Sequence, residues 1–210
     1  MVENARDVDE LTQRARAGDR QALGEAFDRH GDRLRLLVRL RMDPRLRGRL
    51  DPSDVVQESY LEAADRFQEY LAQPELPLFL WLRFLTVQKL LSLHRYHLAT
   101  QARDARREVP LLAEAAPQVS SAELAAHLVG RLSTPSQAAM RAELKLRLQQ
   151  ALERMDAIDR EILALRHFEH LSNGEAAQVL DLRPSAASMR YARALLHLKE
   201  MVAAWSDESK

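Results

Sequence analysis

The sequence predicts an all-α protein with two helical domains joined by a flexible linker. Along most of its 210 residues apolar side chains recur at helical spacing, and strand-like alternation is nearly absent. Residues 108–137 interrupt this pattern with Pro110, Pro117 and Pro135, paired serines and weak periodicity, a composition typical of a linker. Near the end of the chain, two short helical patterns flank a break that contains Pro184.

Apolar spacing and capping residues set the ends of the expected helices. The N-terminal domain is expected to span 1–107 and the C-terminal domain 138–205, followed by a polar tail at 206–210. One short helix, around Ala122 to Arg131, is considered within the linker. The other predicted helices cover 9–17, 19–42, 53–70, 78–99, 138–155, 156–169, 173–180 and 184–203.

Bulk composition bounds the function without assigning it. The chain carries 31 basic and 31 acidic residues, so its net charge indicates no particular partner. No apolar run is long enough to span a membrane, and the polar start MVENARDVDE is unlike a signal peptide. The absence of cysteine excludes disulfides and thiolate zinc sites. These features predict a cytoplasmic protein without membrane insertion.

Charge is segregated along the chain although the total is neutral. Residues 33–49 hold seven arginines against one acid, Asp43, and residues 79–103 hold four basic residues and no acid. A third stretch, 183–199, also contains four basic residues and no acid. Since ordinary solvated helices usually mix both signs, these one-sign stretches favour a polyanionic partner such as DNA.

The last two predicted helices form a candidate helix-turn-helix. Asn173 is a candidate cap for the first helix, and Pro184 suits the first position of the second. An ordinary helical hairpin has the same spacing, so spacing alone leaves both interpretations open. In the second helix, Ala187, Tyr191, Ala194 and Leu198 form one stripe that is expected to face the core. The opposite side carries mostly small residues, which allow close approach to DNA: Ser185, Ser188, Met189, Ala192 and Arg193.

Two helices of the N-terminal domain carry information beyond the fold. In the 53–70 helix the expected core face is Val56, Tyr60, Ala63 and Phe67, and the opposite face is Asp54, Gln57, Glu58, Leu61 and Asp65. An acidic outer face is usually only solvated, whereas Leu61 among the acids suggests a protein partner. In the Leu78–Leu98 helix, Trp81, Phe84 and Tyr96 suit a core, but cations between aromatic rings also suit single-stranded nucleic acid. The pattern leaves both alternatives open for each helix.

Three segments, taken in order, resemble the bacterial extracytoplasmic-function sigma factors of RNA polymerase. They are SDVVQESYLEAADRF, FLWLRFLTVQKLLSLHRY and DREILALRHFEHLSNGEAAQVLDLRPSAASMRYARALLHL. The Trp81-Leu82 pair and the Leu171-Ser172 pair match the family's motifs, and the resemblance covers about residues 15–107 and 138–203. It implies sigma region 2 for the N-terminal domain and sigma region 4 for the C-terminal domain.

The resemblance also implies partners and sites. The chain would bind core RNA polymerase and direct promoter-specific initiation, with docking residues Asp54, Gln57, Glu58 and Leu61. Recognition and melting of the −10 element would use the loop from Phe67 to Pro77 together with Trp81, Arg83, Gln88, Lys89, Ser92, Arg95 and Tyr96. The recognition helix, Pro184 to Leu196, would read the −35 element through Ser185, Ala186, Ser188, Met189, Arg190, Ala192 and Arg193.

Several positions depart from the family's pattern. The family often has Asn at the position of Gln88 and Asp at that of Ser92. A glycine common in the turn is Asp181 here, which can adopt a left-handed backbone. Many members carry Thr and a basic residue where this chain has Ala186 and Ser188. The promoter sequence therefore stays open.

Other functional classes are weaker. His94/His97 and His167/His170 have a spacing that can serve a metal, but no cysteine or well-placed carboxylate completes either pair, so no metal is predicted. The chain has no phosphate-binding glycine loop and no nucleophile elbow; neither catalysis nor a cofactor is expected.

The alternative class is a conventional helix-turn-helix regulator with an N-terminal helical sensing or dimerisation domain. Such regulators are usually dimers on palindromic DNA. A sigma factor is instead expected to be a monomer when free and to need polymerase for promoter binding. An anti-sigma protein is a candidate partner that the sequence neither requires nor excludes.

Overall fold

The protein is all-α, as the sequence predicts. The computed structural model describes residues 5–72, 76–98, 117–132 and 138–208, and every regular element within those ranges is helical. The chain divides into two compact units, Met1–Pro117 and Gln118–Lys210. No helix of the described ranges combines the length and apolarity needed to cross a membrane.

The described residues of the first unit form five α-helices and a short 3₁₀ turn, Pro44–Leu46. The helices are α1 (Ala5–Arg16), α2 (Arg20–Arg41), α3 (Pro52–Asp65), α4 (Phe67–Leu71) and α5 (Leu78–Leu98). Aspartates begin two of them by accepting hydrogen bonds from free backbone N–H groups. Asp19 caps α2, and Asp51 caps α3 just before Pro52, which sits where its missing N–H costs nothing.

The predicted 53–70 helix is broken at Arg66. The structure ends α3 at Asp65 and begins α4 at Phe67, although no glycine or proline marks this break. Arg66 turns out of the helical conformation, and its guanidinium bonds Glu62 of α3 at 2.9 Å and Glu69 of α4 at 2.8 Å. Ion pairs on both sides of the break therefore support the bend.

The core of the first unit forms around the first half of α5. Every residue from Leu78 to Val87 is buried, and the Trp81 ring lies 5.0 Å from that of Tyr70. Val56, Ala63 and Phe67 are buried as predicted. The prediction for Tyr60 is wrong, because this side chain is 37% exposed, although its ring still makes a T-shaped contact with that of Phe27.

In the part of the second unit that the structure describes there are also five α-helices, with a π-helical turn, Ala164–Phe168. The helices are α6 (Ser121–Leu132), α7 (Ala138–Arg154), α8 (Ala157–Leu163), α9 (Asn173–Val179) and α10 (Pro184–Glu208). The π turn continues α8 through most of the remaining predicted 156–169 helix. Because Ala164, Leu165 and Phe168 of this turn are buried, the widened helix belongs to the core of the second unit.

Part of the predicted 108–137 linker belongs to the second unit. Residues 108–116 and 133–137 lie outside the described residues, whereas 121–132 form α6, which packs against α7. Leu124, Ala125 and Val129 of α6 are buried. The apolar face of α6 thus extends this unit back to Gln118, beyond the predicted start at 138.

The helix-turn-helix geometry is set by α9, α10 and the turn between them. Ser172, rather than the predicted Asn173, caps α9 through a reciprocal capping box with Glu175. Asn173 instead donates a side-chain hydrogen bond to the carbonyl oxygen of Pro184, 2.8 Å away. Asp181 has φ +52°, the left-handed conformation expected for it. Ala187 of α10 packs against Ile162 and Ala177.

Candidate functional site

The outer face of α3 is exposed where the sequence predicts a partner. Asp54, Gln57 and Glu58 face solvent, and Leu61 is 62% exposed among them. A single exposed leucine is ordinary on a protein surface, so the role of Leu61 depends on what surrounds it. The four predicted docking residues share one accessible surface.

A groove with a volume of about 610 Å³ opens beside this face, between α2 and α3. Gln57 and Leu61 line it from α3, together with the edge of the half-exposed Tyr60. The α2 side was not predicted from the sequence, because it becomes part of the groove only when α2 packs on α3. It consists of Gly24, Phe27, Asp28, Gly31 and Arg35.

The predicted −10 surface divides into a buried half and an exposed half. Trp81 and Arg83 are 2% and 5% exposed, so neither side chain lies at the surface of this structure, and their assignment as DNA contacts stays a prediction. Both lie in the stretch of α5 that is buried on all sides, which the apolar sequence LFLWLRFL already suggests. Ser92, Arg95 and Tyr96, further along α5, are exposed.

Gln88 and Lys89 lie between these halves and are held by other side chains. Lys89 Nζ is 2.7 Å from the carboxylate of Glu58, so an expected DNA contact pairs with an expected polymerase contact. Arg66 donates a hydrogen bond of 3.0 Å to Oε1 of Gln88. Because a guanidinium only donates, this bond engages the carbonyl end of Gln88 and leaves its two Nε2–H donors for a ligand.

The exposed side of α10 matches the predicted reading face. Ser185, Ser188, Met189 and Ala192 are exposed, Met189 to 74%, and Ala186 is half-buried. The predicted core stripe is confirmed for Ala187 and Ala194, which are 0% and 1% exposed. Small side chains around one exposed methionine leave the helix surface open to a close approach.

The two arginines of this helix are bound to a residue that the sequence did not single out. Asp159 of α8, only 3% exposed, accepts hydrogen bonds from Arg190 at 2.9 Å and from Nε and Nη2 of Arg193 at 2.8 and 2.9 Å. Asp159 lies more than thirty residues before these partners, so no local motif in the sequence could have shown the contact.

The histidine pairs have structural partners. His94 accepts a hydrogen bond from the backbone N–H of Asp43 at 3.3 Å, and burial lowers its pKa. The Tyr191 hydroxyl lies 3.0 Å from Nε2 of His167. Within the part of the chain that the structure describes, no three His, Cys, Asp or Glu residues are placed to hold a metal ion.

Comparisons with known proteins agree with this architecture. The family model for sigma-70, region 4 matches residues 145–198, which include α8, α9 and more than half of α10. The RNA polymerase sigma factor NccH of Alcaligenes xylosoxydans xylosoxydans is 29% identical over 200 residues, covering 93% of this chain and 95% of that protein.

Two further relatives extend the match over nearly the whole chain. The RNA polymerase sigma factor CnrH of Cupriavidus metallidurans is 28% identical over 98% of this chain and 100% of its own. The ECF RNA polymerase sigma factor SigD of Mycobacterium tuberculosis is 28% identical over 95% of this chain and 86% of its own. The solved structure of CnrH in complex with the cytosolic domain of CnrY has 25% identity and a TM-score of 0.52, covering 92% of this chain and 96% of that one.

A two-unit helical protein whose second unit carries a sigma helix-turn-helix is a transcription initiation factor, not a conventional repressor or activator. The chain is an RNA polymerase sigma factor of the extracytoplasmic-function type.

Proposed function

We propose that this sigma factor docks on core RNA polymerase, in the cytoplasm, through the outer face of α3 and the groove beside it. The observation that carries this proposal is the exposed Leu61 at the edge of a 610 Å³ groove, flanked by Asp54, Gln57 and Glu58. An apolar anchor within a polar rim is the usual composition of a protein interface. The groove is wide enough to receive side chains from a partner helix.

Replacing both Gln57 and Glu58 with alanine is expected to weaken binding to core polymerase by about tenfold or more, because a few residues near the centre of an interface carry most of its binding energy. Association is measured by competition with a labelled wild-type chain. The double substitution Glu143→Ala/Gln150→Ala, on exposed positions of α7, is the matched control and should compete normally. Normal competition by the Gln57/Glu58 variant would remove this face from the docking role.

The second part of the proposal assigns −10 recognition to the end of α5, without Trp81 and Arg83. Gln88, Lys89, Ser92, Arg95 and Tyr96 follow one another along about two turns of helix. Tyr96 is 79% exposed, which suits stacking on an unpaired base, while the cations suit the phosphate backbone. Polymerase docking at Glu58 would compete with its ion pair and release Lys89 toward DNA.

Replacing Lys89 and Arg95 with alanine is expected to lower the yield of open complex on duplex promoters about tenfold, since each lost phosphate contact weakens binding. Much of this defect should disappear on a template already mismatched across the −10 region, if the residues chiefly assist melting. Lys145→Ala/Arg154→Ala removes two exposed cations from α7 and serves as the charge-matched control. An equal defect on both templates would contradict a role in melting.

The third part assigns −35 reading to the exposed side of α10. Ser188→Ala and Met189→Ala are expected to change which −35 variants a holoenzyme prefers, because direct base contacts contribute about 1–3 kcal/mol of discrimination. Preference is measured by sequencing promoters selected from a library randomised at the −35 position. Leu146→Ala, on the exposed side of α7, should leave the profile unchanged. Unchanged profiles for both α10 variants, in proteins of normal stability, would exclude this face.

We also propose that a protein partner restrains the free sigma factor. The support is the relative CnrH, whose structure was solved in complex with the cytosolic domain of CnrY. The exposed Leu61 and the groove of the first unit offer such a partner a surface that overlaps the proposed polymerase site. Binding there would exclude polymerase by direct competition.

A further inference from the structure

Asp159 joins the recognition helix to the rest of the second unit through two arginines. Its carboxylate accepts one hydrogen bond from Nη1 of Arg190 and two from the planar fork of Arg193, all between 2.8 and 2.9 Å. Asp159 is 3% exposed, whereas the side chain of Arg193 is 57% exposed. A buried carboxylate is therefore paired with a partly exposed guanidinium on the proposed reading helix.

We propose that Asp159 is a positioning residue for promoter recognition, which aims the guanidinium groups of Arg190 and Arg193 at DNA. The inference rests on the proposed reading of −35 DNA by α10. A free arginine side chain has many rotamers, and ordering it on binding costs affinity. An arginine that a buried carboxylate already holds in one geometry loses less side-chain entropy when it binds DNA.

Donor counting shows that the held arginine keeps capacity for DNA. A guanidinium has five N–H donors, and Arg193 uses two of them, on Nε and Nη2, for Asp159. Three donors remain on a side chain that is more than half exposed. A second carboxylate, that of Asp156, lies 3.8 Å from Nη2 of Arg193 and is itself exposed, so the capacity for a guanine edge comes from the remaining N–H donors and not from a surplus of charge.

The competing explanation is that Asp159 only anchors α10 to α8. Removing one partner of a buried ion pair destabilises a fold, because the other charge is left buried without compensation. The two explanations differ in what happens to sequence preference when the protein remains folded. An anchor affects stability alone, whereas a positioning residue affects how sharply α10 distinguishes one −35 sequence from another.

The experiment replaces Asp159 with asparagine in the full chain, which keeps the shape and removes the charge. The new Nδ2 group would face guanidinium donors, so the bidentate pairing with Arg193 is lost. Holoenzyme made with Asp159→Asn is expected to lose about tenfold of its discrimination between preferred and disfavoured −35 variants in the randomised library. Its binding to duplexes of unrelated sequence should not fall, because the net charge of α10's surroundings becomes more positive.

A second variant keeps the test valid if Asp159→Asn folds poorly. Arg193→Lys retains the positive charge and leaves Asp159 with Arg190, but a lysine cannot reproduce the planar fork. It is expected to lose discrimination to a similar extent. Unchanged discrimination in these variants, with reduced melting temperature, would overturn the inference and leave the anchor explanation. A wild-type holoenzyme without any −35 preference would overturn the inference together with the proposed function of α10.

Discussion

Replacing Trp81 with alanine is expected to lower the free energy of unfolding of the first unit by about 3–5 kcal/mol. The indole is 2% exposed and packs against the ring of Tyr70, which is itself completely buried. Removing it leaves a cavity among Phe67, Tyr70 and the apolar first half of α5, which is closely packed and has little freedom to collapse. Trp81 is therefore expected to act through stability rather than through contact with DNA.

The measurement is thermal unfolding followed by calorimetry or circular dichroism, compared with Tyr96→Ala. Tyr96 lies on the same helix but is 79% exposed, so its replacement is expected to cost about 0.5 kcal/mol or less. Comparing the two variants should thus distinguish a loss of stability from a loss of DNA binding. A Trp81→Ala protein that melts like the wild type but fails to open promoters would show that burial is the wrong explanation.

The helices themselves are readable from the sequence because local chemistry sets their ends. Asp19 and Asp51 cap α2 and α3, Pro184 begins α10, and apolar spacing identifies the core stripe of α10. Each of these signals depends on residues within a few positions of one another. The break at Arg66 escaped this approach because it depends on two ion pairs and not on a helix-breaking residue.

The candidate site was predictable in its exposed residues and not in its contacts. Helical periodicity correctly places Asp54, Gln57, Glu58 and Leu61 on one surface. It cannot show that Glu58 meets Lys89, because this pair joins different helices. The same reason applies to Arg66 with Gln88, and the groove likewise needs two helices to exist.

Trp81 and Arg83 are a different case, because residues that the resemblance implies as DNA contacts are buried in this structure. The sequence from Leu78 to Leu85 is apolar around most of the helix, a pattern that favours complete burial. The resemblance to sigma factors implies DNA contacts along the whole helix. It does not distinguish the buried first half of α5 from the more exposed second half. The exposed surface of α5 begins only after Val87.

His30 gives the second large expected effect, a loss of stability on mild acidification. The imidazole is 2% exposed beside the ring of Phe79, and its Nδ1 lies 3.1 Å from the guanidinium of Arg33. Burial first, and then the charges of Arg33 and Arg29, lower the pKa of His30 from 6.5 to about 3. The folded protein therefore keeps this ring neutral at pH values where the unfolded chain binds a proton.

The direction of the effect follows from that difference in proton binding. Below pH 6.5 His30 binds a proton in the unfolded state, whereas in the folded state it stays neutral until about pH 3. The free energy of unfolding therefore falls as the pH falls through this window. Between about pH 7.5 and about pH 5.5, His30 alone should remove on the order of 1 kcal/mol. His94 acts in the same direction because its pKa is also lowered. The paired carboxylates Asp19, Glu25, Asp43 and Glu69 have lowered pKa values and lose their contribution only at more acidic pH.

Urea unfolding of a Trp205→Phe protein isolates this effect, because Trp81 is then the single tryptophan and its fluorescence reports on the first unit. The free energy of unfolding should fall between the two pH values in that protein, and fall less when His30→Gln is added. The difference between the two slopes belongs to His30, since His94 is present in both. If His30→Gln unfolds on its own, the NMR titration of the wild-type ring decides the question, because the ring should remain neutral down to about pH 4. A His30 ring that protonates near pH 6.5 in the folded protein would contradict the prediction, since burial beside two arginines would then have no effect on its charge.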